Sequence, residues 1–296
     1  MLPPSVEEAI RGIAEDRTSG ASKLARIALE VMGLAILEGK GRPDSRMLAE
    51  AARQISEAQP AMAIVHNVAH MVAQLIAEGQ DPKAVLEQTR SELETAREKI
   101  ARMFLKVAPD RGSIVTLSHS ENVFEAIRMA HAKGRVDRVF VMEARPLFEG
   151  RVLAKSLADA GVPVTLVPDA LGPSLMREAT CALVGADAVL RDAAVVNKIG
   201  TYALALAASD LKKPFYVACE TLKFDARYDS GTWPKPASRD PSEVWDVRSH
   251  VNIENRYFEL TPSRFVTTCV TERGTYAPDV VRTMLGVGGS RTVPKG

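Results

Sequence analysis

Residues 184–201 carry the side chains best suited to chemistry in this chain. An apolar run ends there at the carboxylate Asp187, and Asn197 and Lys198 precede an alanine-rich helix that begins at Thr201. Ligands of open α/β sheets bind at the carboxyl ends of the strands, and a helix start with free N–H groups beside a lysine favours an anion. The alternative is an ordinary strand–helix unit with a buried polar turn, and spacing alone leaves both open.

Four more segments combine charged residues with turn residues in a particular order. They are residues 143–151, 220–224, 255–262 and 271–274. Together with residues 184–201, they resemble the signatures of the translation initiation factor 2B α/β/δ-subunit family. That family also contains methylthioribose-1-phosphate isomerase and ribose-1,5-bisphosphate isomerase, and the resemblance covers nearly the whole chain.

The resemblance implies a site for a phosphorylated ligand. In the family, an arginine-proline loop follows a strand and faces bound phosphate, and Arg145-Pro146 matches it. A guanidinium group suits this role because it offers two parallel donors to a phosphate. The alternative is a surface arginine paired with Glu143. The implied binding residues are Arg17, Gly20, Ala21, Glu143, Arg145, Arg151, Asn197, Lys198, Glu220 and Lys223.

The resemblance also implies how an isomerase of this family would work. An aldose 1-phosphate becomes a ketose 1-phosphate when hydrogen moves between C1 and C2, and the family uses an aspartate and a cysteine for this. Asp187 matches the aspartate, but Ser120 stands where the cysteine should be. A serine hydroxyl is several pKa units too weak to replace a thiol near neutrality. His119 could assist, but neighbours on an extended segment point to opposite sides.

A second departure lies near the amino terminus. The isomerases carry an arginine-glycine-alanine turn whose arginine reaches the substrate phosphate, whereas this chain has Ser19 before Gly20 and Ala21. Arg17 could reach inward instead or sit in solvent. This serine form is more similar to the initiation-factor members of the family.

Two functions follow from these comparisons of residues. The first is a non-catalytic protein that binds a sugar phosphate or a nucleotide between its two domains. It retains the phosphate-facing residues Arg145, Arg151, Asn197 and Lys198 but lacks the catalytic thiol. The second is an aldose–ketose isomerase of the ribose 1,5-bisphosphate or methylthioribose 1-phosphate type, with an acid–base pair rebuilt from Asp187 and either Ser120 or His119. The resemblance further implies a homodimer or higher oligomer, and the apolar positions between Tyr257 and Val270 need cover. A translation factor is a further candidate partner.

Composition excludes several classes of protein. The chain has 296 residues, a formal net charge of +1 and 46% hydrophobic residues, so no global field recruits nucleic acid or a membrane surface. Its three cysteines lie in or beside apolar runs without metal-type spacing. We expect no metal, no cofactor and no membrane span, and a cytoplasmic setting.

The pattern of apolar residues predicts an α/β protein. Helical spacing dominates the first hundred residues, and short valine-rich runs then alternate with helices. The prediction is a helical domain over residues 1–108 followed by a Rossmann-like parallel-sheet domain over residues 109–296. The predicted strands are Ser113–Leu117, Arg138–Met142, Val162–Val167, Cys181–Gly185, Phe215–Ala218 and Phe265–Val270. The polar, proline-rich segment 225–241 is predicted to be a functional or mobile loop.

Overall fold

A computed structural model describes residues 2–16, 19–39, 44–236, 238–246 and 250–286. Its first part is helical, and no strand occurs among the described residues before Gly112. The five helices are α1 (Pro4–Glu15), α2 (Ala21–Glu38), α3 (Ser45–Ala58), α4 (Ala63–Ala77) and α5 (Pro82–Val107). Asp44 and Asp81 cap α3 and α5 by accepting backbone N–H hydrogen bonds. The apolar faces of these helices form one core.

The second part is built on a seven-stranded sheet. Its strands are β1 (Gly112–Leu117), β2 (Val136–Met142), β3 (Val164–Val167), β4 (Cys181–Val184), β7 (Phe215–Ala218), β10 (Thr268–Thr271) and β11 (Gly274–Tyr276). They lie in the order β11-β10-β7-β4-β1-β2-β3, and only β11 is antiparallel to its neighbour. The six parallel strands therefore have the doubly wound order, which reverses between β1 and β4.

Helices cover both faces of this sheet. They are α6 (Glu121–Ala132), α7 (Glu149–Asp159), the single turn α8 (Gly172–Leu175), α9 (Thr201–Asp210) and α10 (Pro278–Gly286). Two apolar cores result, one on each face, and the long helix α5 joins one of them through Phe104. The predicted helical part followed by a mostly parallel α/β part is thus confirmed. The division into two domains at residue 108 stays a prediction.

A small second sheet lies beside the carboxyl end of the large one. It contains β5 (Ala188–Leu190), β6 (Val195–Lys198), β8 (Phe224–Asp225) and β9 (Phe258–Thr261), in the order β8-β5-β6-β9. The strand pattern did not predict it, and residues 188–198 form an antiparallel hairpin instead of the expected loop. The last predicted strand was also placed too early, because Ser263–Phe265 is a 3₁₀ turn and β10 begins at Thr268.

The small sheet joins the helical part to the large sheet. The Ala63 N–H at the start of α4 donates to the Asp187 carbonyl at 3.1 Å. On the same helix, the Asn67 amide donates to the Leu222 and Phe224 carbonyls at 2.7 and 3.0 Å. These hydrogen bonds connect the helical part to the segments that flank the small sheet.

Two further sequence expectations can be compared with this structure. No helix in the described ranges has the length and apolar content that crossing a membrane requires. Among the apolar positions expected to need cover, Tyr257, Val266, Cys269 and Val270 are buried within the chain, whereas Phe258, Leu260 and Phe265 are half-buried. Oligomerisation through this segment stays a prediction.

Candidate functional site

A cavity of about 290 Å³ lies between the start of α2 and the carboxyl edge of the large sheet. The turns after β1 and β4 form its floor, at the point where the strand order reverses. These turns touch, because a Cβ added to Gly185 would lie 3.0 Å from the Ser120 Oγ. A glycine at position 185 therefore lets the two turns approach at the place where doubly wound sheets bind ligands.

The start of α2 forms the opposite wall. Gly20 is the N-cap residue, and no side chain of a described residue caps this 18-residue helix. Ser19, Gly20, Ala21, Ser22 and Lys23 all line the cavity. The Ser19 Oγ is buried and has no hydrogen-bond partner within the described ranges. Uncapped N–H groups, hydroxyls and a lysine together make this wall attractive to an anion.

A buried network ties this wall to the sheet. Glu220, which follows β7, accepts hydrogen bonds from the Ser22 hydroxyl at 2.6 Å and the Asn122 amide at 2.9 Å. Its carboxylate also lies 3.1 Å from the Lys223 Nζ, and both side chains are about 5% exposed. Burial acts to raise the pKa of Glu220, but the charge of Lys223 and the Ser22 hydrogen bond leave it lowered.

Lys223 lines the cavity between this network and Asp187. Burial acts to lower the pKa of Lys223, but the negative charges of Glu220 and Asp187 leave it raised. The lysine is therefore held as a cation at the base of the cleft, already paired with one carboxylate.

Asp187 follows Gly185 and Ala186, which line the cavity, and is itself half-buried. Burial raises the pKa of its carboxyl to about 6, against the opposing charges of Lys223 and Lys198 and with the added repulsion of Glu149 and Glu220. A carboxyl group with a pKa near neutrality can both give and take a proton.

A second ion pair lies on the hairpin side of the cleft. The Lys198 Nζ, only 4% exposed, lies 3.0 Å from the Glu149 Oε1. Asn197 also lines the cavity, and its amide donates to the Thr201 hydroxyl at 3.0 Å. Glu149 is the first residue of α7 and lines the cavity too. Its position depends on Gly150, since a Cβ there would lie 1.9 Å from the Met142 carbonyl oxygen.

The residues of the arginine-proline loop lie away from these lining side chains. The Arg145 guanidinium donates to the Val244 carbonyl at 2.7 Å, and its carbon lies 4.8 Å from the Phe148 ring centroid. Arg151 lies over the same ring at 3.7 Å and pairs with Glu143 at 3.0 Å. Glu143 thus pairs with Arg151 and not with Arg145. None of the three lines the cavity within the described part of the chain.

Only some of the other predicted binding residues line the cavity. Gly20, Ala21, Ser120, Asn197 and Lys223 line the cavity, while Asp187, Lys198 and Glu220 stand just behind its lining. Arg17 lies outside the described residues. Ser120 caps α6, its Oγ accepting the Val123 N–H at 3.4 Å.

The start of α9 differs from the anion site that the sequence predicted. The Glu259 Oε1 on β9 accepts hydrogen bonds from the Gly200 and Tyr202 N–H groups at 2.8 and 2.9 Å. An internal carboxylate therefore occupies the position predicted for a ligand. The helix start does bind a negatively charged group, as predicted, but this group is the Glu259 carboxylate of the chain itself.

His119 lines the cavity beside Ser120, although alternation along an extended segment predicted opposite directions. The cause is the turn itself, since Ser118 has a φ of 61° and breaks the alternation. Burial lowers the pKa of His119, with the charges of Glu121 and Glu149 opposing the shift. A neutral imidazole is thus favoured at the mouth of the cleft.

Sequence reasoning missed Glu149, Ser22 and Lys23 as cavity residues. The sequence did contain a signal for Glu149. It is a carboxylate in the first turn of a helix that follows a strand, and such a residue lies at the edge of the sheet. Ser22 and Lys23 directly follow the predicted Gly20 and Ala21 in the first turn of α2. A prediction that included the whole first turn of α2, and not only Gly20 and Ala21, would have found them.

Known proteins match this chain over most of its length. The model of the initiation factor 2 subunit family matches residues 17–278. A Pyrococcus horikoshii protein named as an eIF-2B subunit 2-like translation initiation factor is 34% identical over 94% of this chain and 98% of its own. A ribose 1,5-bisphosphate isomerase of Methanocaldococcus jannaschii is 30% identical over 91% of this chain and 88% of its own. The crystal structure of a P. horikoshii translation initiation factor eIF-2B is similar with a TM-score of 0.81, at 32% identity, covering 94% of this chain and all of the other.

Proposed function

The chain belongs to the initiation factor 2 subunit family, and on that premise we propose that it binds a sugar phosphate or a nucleotide in the cleft between helices and sheet. The observation that carries the proposal is the uncapped start of α2, which faces the carboxyl edge of the sheet across a cavity of about 290 Å³. The phosphate would contact this helix start and Lys23, and the rest of the ligand would face Asn197 and Lys223.

Binding without isomerisation is the form of this function that the residues support best. Ser120 caps a helix and offers no thiol, and Ser19 occupies the position where the isomerases of the family carry an arginine. Both changes leave the phosphate-facing wall in place. The protein would act as a homodimer or higher oligomer in the cytoplasm, where a translation factor is a candidate partner.

One observation favours the isomerase as a second candidate. The pKa of Asp187, raised to about 6 by burial, suits a group that gives and takes protons near neutral pH. Lys198 and Lys223 stand close enough to change that pKa. An isomerase would therefore use Asp187 as one proton-transfer group and need another in place of the missing thiol.

A thermal-shift screen of sugar phosphates and nucleotides tests binding directly. A ligand present at a hundred times its dissociation constant stabilises the folded protein by about 2.7 kcal/mol, which a melting curve resolves easily. Lys23→Ala should reduce the shift, because it removes a cation that lines the cavity. The absence of a shift with every sugar phosphate and nucleotide would refute the proposal.

A further inference from the structure

Glu149 lines the cavity and has one carboxylate oxygen without a hydrogen-bond partner among the described residues. Its Oε1 accepts from the Lys198 Nζ at 3.0 Å, whereas its Oε2 is buried and has no hydrogen-bond partner in the part of the chain that the structure describes. A buried acceptor without a partner destabilises the folded protein. Because Glu149 also lines the cavity, a ligand can supply the missing donor there.

The charged groups around Glu149 determine which hydrogen-bond donor of a ligand is favoured beside it. The carboxylates of Glu220 and Glu149 already pair with Lys223 and Lys198, so these lysines bring no unbalanced positive charge. Asp187 adds a further acidic group to this end of the cleft. A phosphate group here would meet negative charge and would offer no donor to the Glu149 Oε2, whereas a hydroxyl group would offer one.

The opposite end of the cavity, at the start of α2, favours a negatively charged group. There the start of α2 presents N–H groups without a cap from any described side chain, and the Glu121 carboxylate in the lining is balanced by Arg26 and Arg97. Lys23, which also lines the cavity, forms no ion pair with any residue that the structure describes. Among the described residues, the lining contains no aromatic ring except the His119 imidazole, so a nucleobase would find little to stack on. One end therefore suits a single phosphate and the other suits hydroxyl groups.

We propose that Glu149 determines the specificity of this site, its Oε2 accepting a hydrogen bond from a hydroxyl group of a sugar that carries one phosphate. Lys198 acts as a positioning residue that fixes the other carboxylate oxygen. This inference rests on the proposed binding function and narrows it from sugar phosphates and nucleotides to monophosphorylated sugars. Bisphosphorylated sugars are disfavoured, because their second phosphate would face Glu149.

Calorimetric titration of the full chain with three probes tests this inference. The probes are inorganic phosphate, ribose 1-phosphate and ribose 1,5-bisphosphate. The native protein should bind ribose 1-phosphate at least tenfold more tightly than either of the others. Glu149→Gln keeps the size of the side chain but can present an amide donor to the cavity. It should weaken ribose 1-phosphate binding by about 10- to 100-fold, as expected for a hydrogen bond to a charged group, and leave phosphate binding within twofold.

Glu125→Gln is the matched control. Glu125 is also a partly buried glutamate in an ion pair, with Arg128 at 2.6 Å, but it does not line the cavity. This variant should bind all three probes like the native protein. Deoxy analogues of ribose 1-phosphate supply a second measurement that needs no stable variant. At least one analogue should bind the native protein about tenfold more weakly and lose that difference in Glu149→Gln.

The outcomes separate this inference from the function on which it rests. If phosphate and ribose 1-phosphate both bind but Glu149→Gln weakens them equally or not at all, Glu149 does not determine specificity. Tighter binding of the bisphosphate than of the monophosphate by the native protein would overturn the inference as well. If the native protein binds none of the probes and no nucleotide, the proposed function itself fails.

Discussion

The Ser22 hydroxyl lies 2.6 Å from the Glu220 carboxylate, although 198 residues separate them in the chain. This contact links the first turn of α2 to the turn after β7, and so crosses the cleft at its base. Because its acceptor is charged and buried, the hydrogen bond should stabilise the arrangement of the two walls more than a surface contact would.

Ser22→Ala should therefore lower the free energy of unfolding by about 1.5–3 kcal/mol, the range for hydrogen bonds to charged groups. Urea unfolding measures this change. Ser5→Ala is a suitable control, since the Ser5 hydroxyl donates to Glu38 at 2.7 Å on the exposed surface. That variant should change stability by less than about 0.5 kcal/mol. Equal losses in both variants would contradict a special role for the buried contact.

Asp187→Asn should make the protein more stable at neutral pH. Folding raises the pKa of this carboxyl from 3.8 to about 6, so the folded state binds more protons than the unfolded state between these values. The stabilisation from this group is complete below the lower value and is lost as the pH rises to the upper one. Removing the charge should add up to about 3 kcal/mol above pH 6, because a tenfold change in an acid dissociation constant corresponds to about 1.4 kcal/mol.

Urea unfolding at pH 5.0 and pH 7.5 measures this dependence. The gain from Asp187→Asn should be larger at the higher pH, because the native carboxyl is then charged in both states. A gain that is equal at the two values would show that folding does not raise the pKa of Asp187, and a loss that grows with pH would show that the folded protein favours its charged form.

The native protein should not isomerise ribose 1,5-bisphosphate or methylthioribose 1-phosphate at a detectable rate. Loss of one proton-transfer group removes about 10²–10⁴ in rate, and Ser120 supplies no group of suitable pKa. A turnover assay on the native protein and on Ser120→Cys tests this. Activity that appears only in Ser120→Cys would support the non-catalytic assignment. Robust native turnover that disappears in Asp187→Asn would establish an isomerase.

Glu259→Ala should destabilise the protein by about 1–2 kcal/mol, because it removes the acceptor of the Gly200 and Tyr202 N–H groups. Glu259→Gln should lose less, since an amide oxygen can still accept both hydrogen bonds. Thermal unfolding ranks the two variants. If the glutamine variant is as unstable as the alanine variant, the charge rather than the hydrogen bonds accounts for the effect of Glu259 on α9.

The sequence predicted the large sheet well and the small one poorly. Strands such as Phe215–Ala218 are buried on both faces, and a continuous apolar run is their signature. The hairpin formed by Ala188–Leu190 and Val195–Lys198 consists of strands of three and four residues. Such short strands show little periodicity, and their pairing with Phe258–Thr261 depends on a segment about sixty residues away.

Site residues that local sequence patterns position were also predicted better than those that distant contacts position. Spacing placed Ser120, Asn197 and Lys223 at one edge because parallel strands bring their ends together. It did not reveal that Arg145 would contact the Val244 carbonyl, 99 residues further along the chain. The direction of a long side chain depends on such partners, which no local pattern encodes.

The cap that Glu259 places on α9 also affects the order in which the protein can form on the ribosome. The carboxylate follows the Gly200 N–H by 59 residues, so α9 is synthesised well before the group that completes its first turn. Strand β6 likewise can pair with its outer neighbour β9 only after β9 has been synthesised. A nascent chain that ends before Phe258 lacks both, although it already carries Asn197 and Lys198. The wall of the cleft that holds these two residues is thus completed only late in translation, when most of the large sheet has already been synthesised.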